Sequence, residues 1–499
     1  MRPKLRLVLH FAAAAFVGCP TGLSSSRALA GVTDPGQPNF VPAKAGPNVV
    51  LILADDLGWT DLACFGSDLH ETPHLDRLAR EGMKFTQNYS ACTVCSPTRA
   101  ALLTGKYPAR LRITDWIPGA MPDNPRLLVP DWTKYLPLEE TTLAEVFQAA
   151  GYATATIGKW HLGTEPYYPD KHGFDLNIAG TDKAAPPSYH APWKIPTLTP
   201  EGSAGDYLTD RLAAEAAAFI ERTRDRPFFL YLPHFAVHLP LQGRADLVAK
   251  YEKKIRPGLR HTNAVYAAMT ESLDAAVGRV LAQLDAQRLR ERTIVIFTSD
   301  NGGRVPTTSN LPLRVGKASA YEGGVRVPLI VHWPGVIRSG SVSTAPVITM
   351  DLFPTIAELA GLPAGTARTA LDGVSLAPHL RGGPPPARHE LFWHYPHHQH
   401  YQLGGAMPYA AIRSGDFKLI EFFHDLRDFK VELYNLREDL GEKLDLAAAQ
   451  PQRAAELRAR LHAWQREVGA QMPSPNPRYD STRPEYTPPA AKGKKAGKA

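Results

Sequence analysis

The chain has 499 residues, 44% of them hydrophobic, and a net charge of +7; that apolar content can bury a large core built from more than one structural unit. The charge sits at the ends: residues 1–30 carry +4 through Arg2, Lys4, Arg6 and Arg27, residues 476–499 carry another +4, and the body between is left at −1. A nearly neutral body excludes a basic nucleic-acid face, and four cysteines in this length exclude a disulfide-stapled fold.

Residues 1–30 predict an export signal, with basic residues at 2, 4 and 6, an apolar run from Leu7 to Val17, and Ala28-Leu29-Ala30 before Gly31. The run is too short for a permanent transmembrane helix, so the mature protein is expected to be periplasmic or secreted. Cys19, preceded by Val17-Gly18, also offers a lipid-anchor site, although Phe16 fits that signal poorly. Residues 31–46, rich in Pro and Gly, read as a linker.

The first strong element is the continuous apolar run from Asn48 to Ala54, typical of a strand buried on both faces, and it ends in Asp55 and Asp56. The same pattern recurs from Thr293 to Ser299, which ends in Asp300 and Asn301 before Gly302-Gly303. Further strands are predicted at 152–157, 228–232 and 328–332, and helices at 142–150, 206–223 and 263–288. This alternation predicts an α/β fold: a large mixed, mostly parallel sheet sandwiched by helices, with ligands gathering beyond the carboxyl ends of the strands. Asp55, Asp56, Asp300 and Asn301 then share one rim. A single acid after a strand is ordinarily a cap or a turn former. Two such pairs repel unless a cation joins them, and an all-oxygen set suits calcium or magnesium.

Between these strands lies the stretch from Cys92 to Gly105. Ser96 is expected as the N-cap of a helix, with Pro97 in its first position, Leu102 and Leu103 on an apolar side, and Gly105 at its stop. Cys95 falls where unpaired backbone N–H groups favour an anion, and Arg99 follows one turn later on the same side. Cys92 and Cys95 form a C-x-x-C, but there is no second such pair for zinc and no thioredoxin-like unit around it.

Pro and Gly at 382–386 mark a boundary. Beyond it a smaller α+β subdomain is predicted over 386–472, with hairpin-prone strands from Ala411 to Ile420, a turn at Ser414-Gly415, a strand from Val431 to Asn435 and a helix over 451–468. The cluster from Trp393 to His400 reads as a ring-stacking, hydrogen-bonding loop at a substrate mouth, since aromatic and imidazole groups suit sugars, with a plain surface loop as the alternative; adjacent histidines alternate faces and no acid stands nearby, which disfavours a transition-metal tract. Residues 473–499, rich in Pro and then in Lys, Gly and Ala, are predicted to be a disordered basic tail.

Four strings taken together resemble one family. Cys95-Ser96-Pro97-Thr98-Arg99, continued by Leu103-Thr104-Gly105, resembles the C-x-P-x-R modification signature of type I sulfatases, with Thr98 departing from the more usual Ser. Gly158-Lys159-Trp160-His161-Leu162-Gly163 resembles the family's G-K-W-H-L-G element. The segment from Pro233 to Pro240 resembles the one carrying the leaving-group histidine, which matches His238, while His234 is expected to be structural. The segment from Gly316 to Pro328 resembles G-K-x-x-x-x-E-G-G-x-R-x-P and supplies Lys317.

The resemblance implies a formylglycine-dependent sulfatase of the alkaline phosphatase superfamily, of the arylsulfatase or N-acetylgalactosamine-6-sulfatase type, with a catalytic α/β domain over 47–385. It implies that a formylglycine-generating enzyme converts Cys95 to formylglycine (3-oxoalanine). It further implies one calcium ion on Asp55, Asp56, Asp300 and Asn301, with the modified Cys95 as a further ligand. Arg99, Lys159, His161 and Lys317 are then expected around the sulfuryl oxygens. One hydroxyl of the hydrated aldehyde attacks sulfur and His238 or Lys317 protonates the departing alcohol. The second hydroxyl, deprotonated by His161, expels sulfate. With Cys19 removed and Cys95 modified, Cys64 and Cys92 remain and could pair.

The expected substrate is a sulfated saccharide or an aryl sulfate. The sugar depends on the loops at 106–137, 164–203 and 393–409, outside the shared strings. Two alternatives stand beside this expectation: a phosphodiesterase or phosphonate monoester hydrolase of the same superfamily, and a catalytically silent carbohydrate-binding protein with an unmodified Cys95. The oligomeric state is not legible in the sequence.

Overall fold

A computed structural model describes residues 46–362, 370–398, 407–423 and 429–485. The predicted export signal, nearly all of the predicted linker, Cys19, Gln399-His400 and residues 486–499 lie outside the described residues.

The strand Asn48–Ala54 is buried at every position, as its unbroken apolar run predicts. It pairs in parallel with Phe228–Pro233 on one side and Thr293–Ser299 on the other. Those three strands are the centre of an eight-stranded sheet in the order Ser341–Ser343, Met83–Phe85, Leu329–His332, Thr293–Ser299, Asn48–Ala54, Phe228–Pro233, Ala153–Ile157, Leu176–Ile178. Leu329–His332 runs antiparallel to both of its neighbours, so the sheet is mixed. One face buries helices Leu208–Arg222 and Ala264–Ala286 against Val50, Ile52, Leu230 and Phe297. The other buries the helices Cys95–Thr104 and Leu143–Ala149 against Leu51, Leu53, Phe229 and Ile296. The helix Leu143–Ala149 begins at a capping box in which Thr142 and Glu145 satisfy each other's backbone N–H groups.

A second, antiparallel sheet has the order Glu390–Tyr395, Tyr409–Ser414, Phe417–Phe422, Lys430–Asn435, and the helix Pro451–Glu467 packs on it. The hairpin turn falls at Gly415-Asp416, one residue beyond the predicted place. This sheet shares its core with Tyr89, Ala91, Cys92, Val94 and Ala101, the residues that lead into and carry the helix of Cys95. Buried charges tie the two together: Lys418 Nζ lies 2.9 Å from Glu322 Oε1 and 3.1 Å from Glu442 Oε1.

Four expectations need correction. Val94, not Ser96, occupies the N-cap position of the helix Cys95–Thr104, and no side chain caps it. Ser96 lies inside the first turn because its hydroxyl is used elsewhere, donating to the His161 carbonyl at 2.9 Å. Gly105 does end the helix, at φ +71°, with its N–H on the Ala101 carbonyl. Cys64 and Cys92 are free thiols and do not pair. Residues 473–485 are ordered against the body: Ser474–Pro475 pairs with Leu127–Leu128, and Asn124 Nδ2 donates to the carbonyls of Asp480 and Arg483. Finally, Trp393, Tyr395, His397 and His398 are buried. Rings shielded in this way cannot stack on a sugar. His397 Nε2 lies 2.8 Å from Thr114 Oγ1, and Tyr395 donates to Asp115 Oδ1 at 2.6 Å, so the cluster braces another loop.

Candidate active site

The three central parallel strands and Ala153–Ile157 all end on the same rim, and each is followed at once by polar residues. Backbone bonds continue the sheet into that rim: Asp300 N donates to the Ala54 carbonyl, Asp55 N to the Ala236 carbonyl, and Lys159 N to the Pro233 carbonyl. Asp55, Asp56, Asp300, Asn301, Lys159, His161 and His238 therefore converge, although they come from four separate stretches of chain. Asp56 and His161 hold left-handed backbone, at φ +61° and +62°. Non-glycine residues adopt this conformation where the surrounding structure over-determines it, as happens at functional sites. Gly302 has no alternative residue, since a Cβ there would lie 1.8 Å from the Gly323 carbonyl oxygen.

The side chains form one buried ionic network. Arg99 reaches Asp300 Oδ2 with Nε at 3.1 Å and Nη2 at 2.8 Å, and gives Nη1 to the Lys159 carbonyl. Lys159 Nζ donates to Asp55 Oδ2 at 2.7 Å, and Lys317 Nζ to Asp56 Oδ1 at 2.6 Å. Asn301 Nδ2 also donates to Asp56 Oδ1, at 2.8 Å, and His238 Nε2 stands 3.6 Å from Asp56 Oδ2. Arg99 thus braces the carboxylate rim through Asp300. Cys95, the first helical residue, points its Sγ at His161 Nδ1, 3.4 Å away.

The carboxylates have opposite environments. Burial, and then the facing Asp300 charge, push Asp55 up to about 7. Burial would also raise Asp56, but Lys317 and His238 outweigh it and hold that carboxyl well below its ordinary value. Burial raises the Cys95 thiol and depresses His238 to about 3 despite Asp56 beside it.

A cation fits this donor set. Asp55 Oδ1, Asp56 Oδ2 and Asn301 Oδ1 are buried oxygens with no hydrogen-bond partner among the described residues. Asp55, Asp56 and His238 each offer a ligand atom within 4.8 Å of the others. Unsatisfied buried oxygens are costly, and a hard divalent ion is the species that takes several at once. Three carboxylates face three cationic side chains here, so such an ion makes the site net positive and receptive to an anion.

Sequence reasoning missed a second buried group, Asp61, His70 and His261. Asp61 accepts from Gly58 N, Tyr266 Oη and Thr308 Oγ1, each at 2.6 Å, and the Tyr266 hydroxyl also lies 3.1 Å from the Asp56 carbonyl oxygen. With both oxygens of Asp61 engaged, this group holds the Asp55–Gly58 turn in place. Its signal in the sequence was the third acid of Asp55-Asp56-Leu-Gly-Trp-Thr-Asp61. Trp116, Ala184, Leu239 and Arg304 also went unnoticed; with Cys95, His238 and Lys317 they line a half-open cavity of about 220 Å³.

Comparison with known proteins shows the family of the chain. The sulfatase family model matches residues 47–362, and that of the N-sulphoglucosamine sulphohydrolase C-terminal region matches residues 315–469. A sulfatase of Formosa agariphila is 36% identical over 498 residues, covering 85% of this chain and 89% of its own length. Human arylsulfatase A is 36% identical over 408 residues, covering 74% of each chain. Among solved structures, Ps i-CgsB superposes with a TM-score of 0.71 at 29% identity, covering 88% of this chain and 96% of its own. The chain belongs to the sulfatase family of the alkaline phosphatase superfamily and is a sulfuric ester hydrolase.

Proposed function

We propose that the protein is an exported sulfatase acting on sulfated carbohydrates, through a formylglycine made from Cys95 and a calcium ion held by Asp55, Asp56, Asp300 and Asn301. The observation that carries this reading is the meeting of Cys95 Sγ, the proton-accepting face of His161 and the three partnerless oxygens of Asp55, Asp56 and Asn301 at one strand-end rim. The carbohydrate substrate is supported by relatives named N-acetylgalactosamine-6-sulfatase, 37% identical in the dog protein, and by the solved complex of Ps i-CgsB with k-i-k-neocarrahexaose. Export is supported by the amino-terminal pattern, and no helix among the described residues is long and apolar enough to cross a membrane.

A sulfate monoester is a poor electrophile, so its hydrolysis needs charge neutralisation, a strong nucleophile and protonation of the leaving oxygen. When present, the calcium ion supplies positive charge for the sulfuryl oxygens, and the formylglycine supplies a hydrated aldehyde hydroxyl as the nucleophile. The chain's own residues do the rest. His161 presents Nδ1 to residue 95 as a proton acceptor. Arg99 and Lys159 fix Asp300 and Asp55, and Lys317 fixes Asp56. Lys317 and His238 line the cavity beside Cys95; the ammonium of Lys317 is the group placed to give the leaving oxygen its proton, because His238 is held neutral with Nδ1 against the Leu239 carbonyl. Burial of Cys95, Arg99, Lys159 and His161 keeps bulk water from screening these charges.

The test is sulfate release from defined sulfated saccharides by protein co-produced with a formylglycine-generating enzyme. Measurable kcat/KM on those saccharides is expected, and faster cleavage of a phosphate diester than of any sulfate ester overturns the reading. Peptide mass spectrometry across residues 91–99 tests the modification: fully active protein with an intact Cys95 thiol overturns the nucleophile.

A further inference from the structure

We propose that Asp61, His70 and His261 form a second metal site, one that takes zinc and is separate from the oxygen rim at Asp55 and Asp56. All three side chains are buried, and one ligand atom from each lies within 4.8 Å of the other two. They come from three places in the chain: the loop after Asn48–Ala54, the segment leading into the helix Pro73–Glu81, and the segment leading into the helix Ala264–Ala286. Two imidazoles and a carboxylate suit zinc, whereas Asp55, Asp56, Asp300 and Asn301 offer oxygen alone and suit a harder ion. The proposal does not depend on the sulfatase reading.

The bonds on the outer side of each histidine fix which nitrogen keeps a lone pair. Asp68 Oδ1 lies 2.6 Å from His261 Nδ1. A carboxylate only accepts, so Nδ1 carries the hydrogen and the lone pair of the neutral ring falls to Nε2. That Nε2 is shielded from solvent, makes no hydrogen bond among the described residues, and stands 3.3 Å from Asp61 Oδ1. Two acceptors at that separation need a cation between them. A tetrahedral zinc ion about 2.0–2.2 Å from each ligand sets nitrogen and oxygen roughly 3.3–3.5 Å apart, which is the spacing found. His70 repeats the pattern: its Nδ1 lies 2.8 Å from the Asp61 carbonyl oxygen, so Nε2 holds the lone pair. A carboxylate behind one histidine and a backbone carbonyl behind the other are the usual outer partners of zinc-binding imidazoles.

Asp61 has capacity left for an ion. A carboxylate oxygen has two lone-pair sites, and Oδ1 gives one to the Thr308 hydroxyl at 2.6 Å. Its other oxygen, Oδ2, accepts from Gly58 N and from the Tyr266 hydroxyl, which also reaches the Asp56 carbonyl oxygen. An ion that fixes Oδ1 therefore also fixes the turn carrying Asp55 and Asp56. The rival filling of the gap is a second proton on His261, and against it stands the lack of hydrogen-bond geometry between Nε2 and Oδ1.

The experiment uses the full chain, stripped by chelation and then saturated with calcium, and titrates it with zinc chloride by calorimetry and thermal melting. One zinc per chain is expected to bind with calcium in place and to raise the melting temperature. His70→Gln and His261→Gln are expected to lose that zinc and keep their calcium, as counted by elemental analysis. Asp68→Asn changes only the group behind His261 and is expected to weaken zinc about 10–100-fold, which keeps the site testable if a ligand variant does not fold. No zinc taken up beside calcium, zinc that displaces calcium instead of adding to it, or one zinc per chain retained in both histidine variants overturns the site. Unchanged zinc affinity in Asp68→Asn overturns the part given to the Asp68–His261 pair.

Discussion

His161 and Cys95 face each other at 3.4 Å, Nδ1 to Sγ, while the Ile117 carbonyl oxygen fixes the far side of the imidazole, 2.5 Å from Nε2. A carbonyl only accepts, so Nε2 carries the hydrogen and Nδ1 turns its lone pair toward residue 95. Burial, and then the neighbouring Lys159, keep the ring well below the ordinary histidine range, so it is neutral at neutral pH with its Nδ1 lone pair open to a proton. His161→Asn is expected to lower kcat by about 10²–10⁴ with a smaller change in KM, read by steady-state kinetics on an aryl sulfate. Wild-type kcat in that variant removes His161 from proton transfer.

Cys95→Ala should abolish turnover and leave the fold intact. The residue is the first of a helix whose ten positions are all buried, and alanine favours helix without adding volume. Circular dichroism and thermal melting are expected to match the wild type, and retained activity would overturn the mechanism.

Chelation of the purified protein is expected to remove activity, and added calcium to restore it. The apo site leaves three buried oxygens unpaired, so calcium should also raise the melting temperature in proportion to its binding. Arg99→Ala is expected to weaken calcium retention, measured by elemental analysis, because Asp300 loses its two guanidinium contacts. Unchanged calcium content in that variant contradicts the bracing role.

The small sheet should be sensitive to one charge. Lys418 is buried between Glu322 and Glu442, and Glu322 is held down to about 2, against the effect of burial, by Lys418 first. Lys418→Met leaves a buried carboxylate short of its main partner, which costs about 3–5 kcal/mol. The urea midpoint measures this, and a shift of under a fifth of that size contradicts it.

Acid should weaken the fold at pH values above the ordinary carboxylate range. Burial pushes His172, His234 and His394 down to about 4. In the unfolded chain they bind protons near pH 6.5, so the stability they contribute above that value is lost as pH falls toward 4, roughly 3 kcal/mol for each. The urea midpoint is expected to drop between pH 7 and pH 5, and the drop to shrink in His172→Gln. Equal slopes in the two proteins would show that His172 is not buried in its neutral form.

Much of the molecule was legible in its residues. An apolar run with no polar break can only be a strand covered on both faces, so Asn48–Ala54 and Thr293–Ser299 declared a parallel sheet and a rim of oxygens at its carboxyl end. Helix Leu143–Ala149 falls within the predicted 142–150, and Gly105 ends its helix at the positive φ that its residue type allows. These are local rules, decided within a few residues. Ser96 misled because its hydroxyl is claimed by the carbonyl of His161, 65 positions away. The Trp393–His398 cluster misled because composition says which side chains can stack on a sugar and not whether another loop will cover them.

The sequence by itself determined the strands and the helix that begins at Cys95, because each follows from short-range periodicity, capping and spacing, while the side chains expected of a sulfate-ester site followed from the resemblance of four short strings. Tertiary structure alone decided which cation serves which carboxylate. Lys317 meets Asp56 across 261 residues, and Arg99 turns to Asp300 across 201. It alone decided, too, that Trp116 and Arg304 open onto the same cavity as Cys95. Pairings over such distances are set by the order of strands in the sheet and the packing of loops on its rim, and no local pattern carries that information.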